Sequence, residues 1–212
     1  MAITSNGSTI YFQATPETMF SYPFTINFWG RLASGGVKSN FVTLHNTSDS
    51  YRFAIFTNTS DQLTLSAVDS GGNTDTSATT TSVITNTWFM GTGVFTSATS
   101  RTIYLNGTDA TTGTTSRTPT TPTRILLFAD YTGAVSVNCS GIIGEVAVWD
   151  AALTSSDVAS LYTTAKASLI RPSNLQIYYP LFRTATAIVN VTGKSTTVNN
   201  NTRIFAHHRR YG

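Results

Sequence analysis

The sequence predicts an all-β chain: an antiparallel two-sheet jelly-roll sandwich with one short helix near residues 154–166. Three observations predict it. Short alternating segments recur with turn residues between them. One of them, GIIGEVAVW (Gly141–Trp149), places Ile142, Gly144, Val146 and Val148 on one face and Ile143, Glu145, Ala147 and Trp149 on the other. The period then switches at once to helical, with Thr154 and Asp157 spaced as a capping box, Leu153 and Val158 as a hydrophobic staple, and Val158, Leu161, Tyr162 and Ala165 as an apolar stripe.

The elements follow in order. Thr9–Ala14 reads as a strand. From Pro23, PFTINFWGRL turns Phe24, Ile26, Phe28 and Leu32 inward and Thr25, Asn27, Trp29 and Arg31 to the reverse face. Further strands are expected at Asn40–His45, Tyr51–Thr57, Gln62–Asp69, Ser82–Ile84, Trp88–Phe95, Arg101–Leu105, Arg124–Ala129 and Leu175–Phe182. Asn106-Gly107 signals a two-residue hairpin, which needs positive φ at both central residues. Residues from Ser70 to about Thr81 read as a long polar loop. The threonine-rich stretch Thr108–Thr123 carries Pro119 and Pro122, which exclude a central strand, so its end reads as edge or loop. With no internal repeat and no linker, 212 residues form one sandwich over 1–170 and an extension over 171–212, whose strand 175–182 completes the sandwich.

Composition narrows the function classes. Charged residues are 11% of the chain, against about 25% in an ordinary soluble domain. Thr, Ser and Asn replace them, and contacts made through such a surface depend weakly on salt. The net charge of +3 owes much to Arg203, Arg209 and Arg210 near the end. No basic stripe interleaved with aromatics points to nucleic acid. No run approaches the roughly 20 apolar residues of a membrane helix. Cys139 stands alone and forms no intrachain disulfide. The start MAITSNGSTIYF has neither the basic nor the apolar region of a signal peptide, so folding in a reducing cytosol is expected.

Four segments in order, YPFTINFWGRL, TNTWFMGTGVF, RTIYLNG and GEVAVWDAALTSSDVASLY, resemble the laminin-G-like, concanavalin A-like jelly roll over about residues 8–166. The remainder, PSNLQIYYPLF with a basic-aromatic end, is similar to the extension of such domains in phage-encoded and environmental viral proteins. The resemblance implies two stacked antiparallel sheets with binding loops at a rim. It leaves function open, because this fold hosts lectins, hydrolases and structural modules.

Chemistry separates those classes. Retaining glycosidases need two carboxyls about 5 Å apart, yet the chain has two glutamates, Glu17 and Glu145, neither with an acid two residues away. The histidines are His45, His207 and His208, and no nucleophile elbow or P-loop occurs, so no enzyme and no catalytic residue is expected. No cofactor is expected either. Calcium, which family members hold at the rim, has candidate loops at Asn46–Asp49, Asp69–Asp75 and Asp130, none with a fixed ligand pattern. For glycans, aromatic faces with adjacent amide and guanidinium groups nominate Asn27, Trp29, Arg31, Tyr131 and Trp149. The alternative for the two tryptophans is that they lie under the helix or the extension. The leading expectation is a non-enzymatic phage virion surface protein, a capsid decoration (cement) or fibre-type component with weak glycan binding. Its expected partners are capsid or other virion proteins, further copies of itself and a cell-surface glycan, with Arg203, His207, His208, Arg209 and Arg210 as the attachment element. A lectin-like module without a virion role comes second and a polysaccharide hydrolase third.

Overall fold

The protein, seen in a computed structural model, is described over residues 2–16, 21–46, 51–69, 71–163, 166–180, 196–198 and 203–205. Its strands are β1 Ala2–Asn6, β2 Phe12–Pro16, β3 Phe24–Leu32, β4 Ser39–His45, β5 Arg52–Thr57, β6 Gln62–Val68, β7 Thr74–Ser82, β8 Trp88–Ser97 and β9 Ser100–Leu105. They continue with β10 Asp109–Gly113, β11 Arg124–Leu127, β12 Ala129–Tyr131, β13 Val135–Val137, β14 Ser140–Trp149, β15 Leu175–Tyr179, β16 Thr196–Val198 and β17 Arg203–Phe205. One helix, α1 Ser155–Thr163, follows β14. The first sheet runs β10-β9-β8-β3-β14-β1-β17, with β15 also on β14; the second runs β16-β2-β11-β4-β5-β6-β7; β12 and β13 form a small hairpin. All pairings are antiparallel, as the alternating segments required.

The inner rows meet as one core. Phe24, Ile26, Phe28 and Leu32 of β3 are fully buried against Phe41, Phe53, Ile55, Phe95 and Ile125. Phe24 stacks on Phe95 at 4.4 Å and Phe28 on Phe41 at 5.2 Å, pairs worth about 0.5–1.5 kcal/mol each beyond their buried area. The glycine in the middle of β8 makes this packing possible: a Cβ at Gly91 would sit 2.7 Å from the Phe28 ring.

Three expectations are corrected. The alternation of β14 breaks at a bulge: Gly144 pairs with Trp29 and Ala147 with Asn27, so Glu145 and Val146 together oppose Phe28. Glu145 absorbs the extra residue at φ 52°. Ile143 therefore faces the core with Val146 and Val148, and Ile142 lies on the other face. The stretch read as a polar loop holds β7, an edge strand whose exposed positions need no apolar alternation. Of Ser82–Ile84, Ser82 is its last residue and Val83 and Ile84 lie outside any strand. Strand β15 joins the first sheet by pairing with β14 through Val146–Tyr179 and Val148–Ile177, end to end with β1, which takes the Gly141–Ile143 half of the same edge. Its residues beyond Tyr179 that were expected to be strand include 181 and 182, outside the described residues.

Other expectations hold. The Thr154 amide donates to Asp157 Oδ2 at 2.9 Å and the Asp157 amide to Thr154 Oγ1 at 3.2 Å, the reciprocal bonds of a capping box. Leu153, Val158 and Leu161 are buried in a second apolar cluster; Ala165 lies outside the described residues. Asn106 and Gly107 take φ 52° and 80°, and pairing resumes at Leu105–Asp109, one residue later than a two-residue loop requires.

Candidate functional site

Sheet position decides which nominated residues are open. Along β3 the reverse face carries Thr25, Asn27, Trp29 and Arg31, and α1 docks over its first half. The second apolar cluster, Met90, Val94, Ala147, Trp149, Leu153, Val158, Leu161 and neighbours, is the contact between that face and the helix. Trp149 is fully buried with its indole N–H donating to Ile170 O at 2.7 Å. Asn27 is 2% exposed, its amide donating to Thr92 Oγ1 at 2.7 Å. These two do not form an open patch; they seal the sheet beneath α1, because an indole needs only one partner to be buried without loss.

Trp29 and Arg31 stand at the margin of that cover. The Trp29 ring stacks on Tyr162 of α1 at 5.9 Å and 15°, and Tyr162 is 39% exposed. The hairpin turn supports the pair from behind: a Cβ at Gly107 would lie 2.9 Å from Tyr162 Cβ. One row on, register aligns residues from four further strands with Arg31. Trp88 pairs with Arg31, Arg31 with Ile142, Ile142 with Thr4, and Thr4 with Arg203. A shallow pocket of about 180 Å³ lies here, lined by Thr4, Ser5, Arg31, Ala33, Asn86, Gly141 and Ile142. Arg31 is its charged residue and is pinned by Asn86: Nε donates to the Asn86 carbonyl at 2.9 Å and Nη2 to Asn86 Oδ1 at 3.3 Å. Asn86 can do this because it turns at φ 61°, its amide held by Leu32 O at 2.7 Å.

The remaining nominees lie elsewhere. Tyr131 belongs to the small β12–β13 hairpin and stacks on His45 of the second sheet at 4.0 Å. Its neighbour Asp130 is bridged by Lys38 and Arg52, each at 2.8 Å. Arg203 belongs to β17, and His207, His208, Arg209 and Arg210 are outside the described residues. Sequence reasoning missed Thr4, Asn86, Trp88 and Tyr162 as site members. Asn86 and Trp88 flank the turn into β8, but nothing local ties them to Thr4.

The described aspartates are spent on structure. Asp61 accepts from the Gly36 amide at 2.8 Å, Asp150 from Asn174 and Gln176, and Asp75 pairs with buried Arg101 at 2.5 Å. Burial would raise the Asp69, Asp109 and Asp157 carboxyls, but hydrogen bonds outweigh it and hold all three below the usual range. The donors are Gly71 and Asn73 for Asp69, Thr80 and Thr81 for Asp109, and Thr154 and Arg171 for Asp157. Glu145 is 5% exposed in the bulge. Among the described residues no three His, Cys, Asp or Glu side chains group as a metal site; Asp49 is not among them. Burial pushes the Cys139 thiol up and away from nucleophilic use.

Comparison with known proteins agrees with this architecture. Residues 6–159 match the description of the concanavalin A-like lectin/glucanases superfamily. No curated protein sequence matches the chain. A Bacteroides ovatus protein assigned to carbohydrate binding superposes with TM-score 0.70 at 15% identity over 100% of this chain, which spans 61% of that protein. A heptameric SAP-like pentraxin from Limulus polyphemus gives 0.65 at 11% identity, covering 95% of this chain and 93% of that one. The CBM40 of a Ruminococcus gnavus IT-sialidase, bound to α2,3 sialyllactose, gives 0.60 at 12% identity, covering 76% and 95%. At these identities the likeness is one of fold.

Proposed function

Because the chain belongs to the concanavalin A-like lectin/glucanases superfamily, we propose that it is a non-catalytic carbohydrate-recognition module whose ligand lies along the Arg31 face of the first sheet. The observation that carries this reading is the Trp29–Tyr162 ledge beside a pocket of hydroxyl, amide and guanidinium groups. Aromatic faces cover the C–H side of a sugar ring, and planar polar groups fix its hydroxyls, so one ledge and one pocket read a sugar in two ways. The acids support a binding role. A general acid needs a carboxyl held above its ordinary range, whereas Asp69, Asp109 and Asp157 are moved the other way. The Bacteroides ovatus and Ruminococcus gnavus neighbours fit a sugar-binding use of this fold.

A glycan array tests it. The intact protein is expected to give a dominant class of hits that Tyr162→Ala weakens at least tenfold while circular dichroism stays unchanged. No hit from folded protein, or release of reducing sugar from a polysaccharide, would overturn it.

A second reading keeps the binding role and changes the setting, to a capsid decoration or fibre-type component on a phage virion, folded in the host cytoplasm. It draws on β16 and β17, which add a strand to each sheet, on β2 and β1. A segment that pairs with both sheet edges is suited to joining this chain to a capsid protein or to another copy. Co-purification with particles is its test, and absence from purified particles would remove it.

A further inference from the structure

We propose that the Arg31 pocket takes an anionic group, the carboxylate or sulfate of an acidic glycan, so that the ligand of the reading above is charged. This rests on that reading. Arg31 uses Nε and Nη2 on Asn86, and among the described residues Nη1 donates to none. The guanidinium is thus held by one edge with its other end uncommitted in a pocket that no acid lines. A planar cation fixed in this way matches the two oxygens of a carboxylate or sulfate, and its side-chain ordering is already complete before the ligand arrives.

The chain's charge supports the sign: it is net positive at +3 with only 11% charged residues. A fixed arginine therefore stands out against a near-neutral surface.

Titration with a glucuronate-containing tetrasaccharide, its carboxyl-reduced neutral counterpart and inorganic sulfate tests this, followed by the Arg31 Nε–H signal in NMR and by calorimetry. The acidic tetrasaccharide is expected to bind at least tenfold more tightly than the neutral one and to shift the Arg31 signal, with affinity falling as salt rises. Arg31→Gln should remove the difference. Asn86→Gly keeps the charge and suits the positive φ, and should lose only part of it. A matching shift with sulfate alone supports a pocket that reads the anion; a shift only with the tetrasaccharide supports one that needs the sugar as well. Equal binding of acidic and neutral sugars overturns the charge preference and leaves the glycan reading intact. Acid-selective binding untouched by Arg31→Gln overturns the site. Binding of neither sugar by the folded protein overturns both.

Discussion

Arg101 has a fully buried side chain and ties four separated pieces of chain together. It pairs with Asp75 at 2.5 Å and donates to the carbonyls of Ala98 and Thr115 and to the Tyr22 hydroxyl. Its Nε is buried without a hydrogen-bond partner, so the site already carries one unmet group. Removing one partner of a buried ion pair leaves an uncompensated charge and costs about 3–5 kcal/mol. Asp75→Asn is therefore expected to lower the urea midpoint by an amount in that range. Replacing both partners, Arg101→Met with Asp75→Leu, should recover most of it. A midpoint unchanged in Asp75→Asn would show that the pair contributes nothing net. The same scale explains why part of the nominated site closed. Asn27 and Trp149 have sugar-binding chemistry, but whether they are open depends on a helix that sequence places beside them only through its apolar stripe. Trp29 and Arg31, two and four residues further along the same face, kept their access.

At the level of the element, α1 was legible to its first residue because its signals are local: a capping box, a staple and a stripe within thirteen positions. The bulge in β14 was not, since an alternation count assumes one residue per partner and Glu145 adds a second. Strand β7 was missed for a related reason. Threonine favours extended backbone, but an edge strand shows no apolar rhythm. Its pairing is reinforced by Asp109, which accepts from the Thr80 and Thr81 amides and hydroxyls and so joins β10 of one sheet to β7 of the other. The helix cap has a pH signature. Burial opposes ionisation of Asp157, but its bonds from Thr154 and the Arg171 guanidinium at 2.8 Å prevail and lower its folded value. The unfolded chain then takes up the proton first as pH falls. The stabilisation is full above the ordinary value of 3.8 and is lost as pH drops through the lower folded one. Asp157→Asn should cost roughly 0.5–1 kcal/mol at pH 7, and chemical denaturation at pH 3 should show the gap to the parent protein narrowing. A constant gap would assign the cap to geometry alone.

Across the molecule, most of the inner rows followed from alternation, whereas the order of strands in the sheets and the closure of the far edge did not. Strands β16 and β17 are three residues each and flank β2 and β1; short strands with no apolar rhythm leave no local trace. Their pairing covers backbone groups of the outermost strands, which otherwise invite pairing with another molecule. Deleting residues 196–212 is expected to produce concentration-dependent association on size exclusion while the sandwich core keeps its β-sheet circular dichroism. A truncated chain that remains monomeric at high concentration would show that these edges need no cover.

Strand β14 holds β3 along one side and β1 and β15 in tandem along the other. Ile3 therefore waits for Ile143 to be synthesised before it meets its partner. On a ribosome, β1 and the β14-facing side of β3 stay unsatisfied until most of the polypeptide has emerged, so β3 can pair early with β8 while the half of the sheet built on β14 assembles late. Nascent chains stalled before residue 140 should lack the β14 pairings, and the open β14-facing edge of β3 is the place where a holding chaperone would be expected to act.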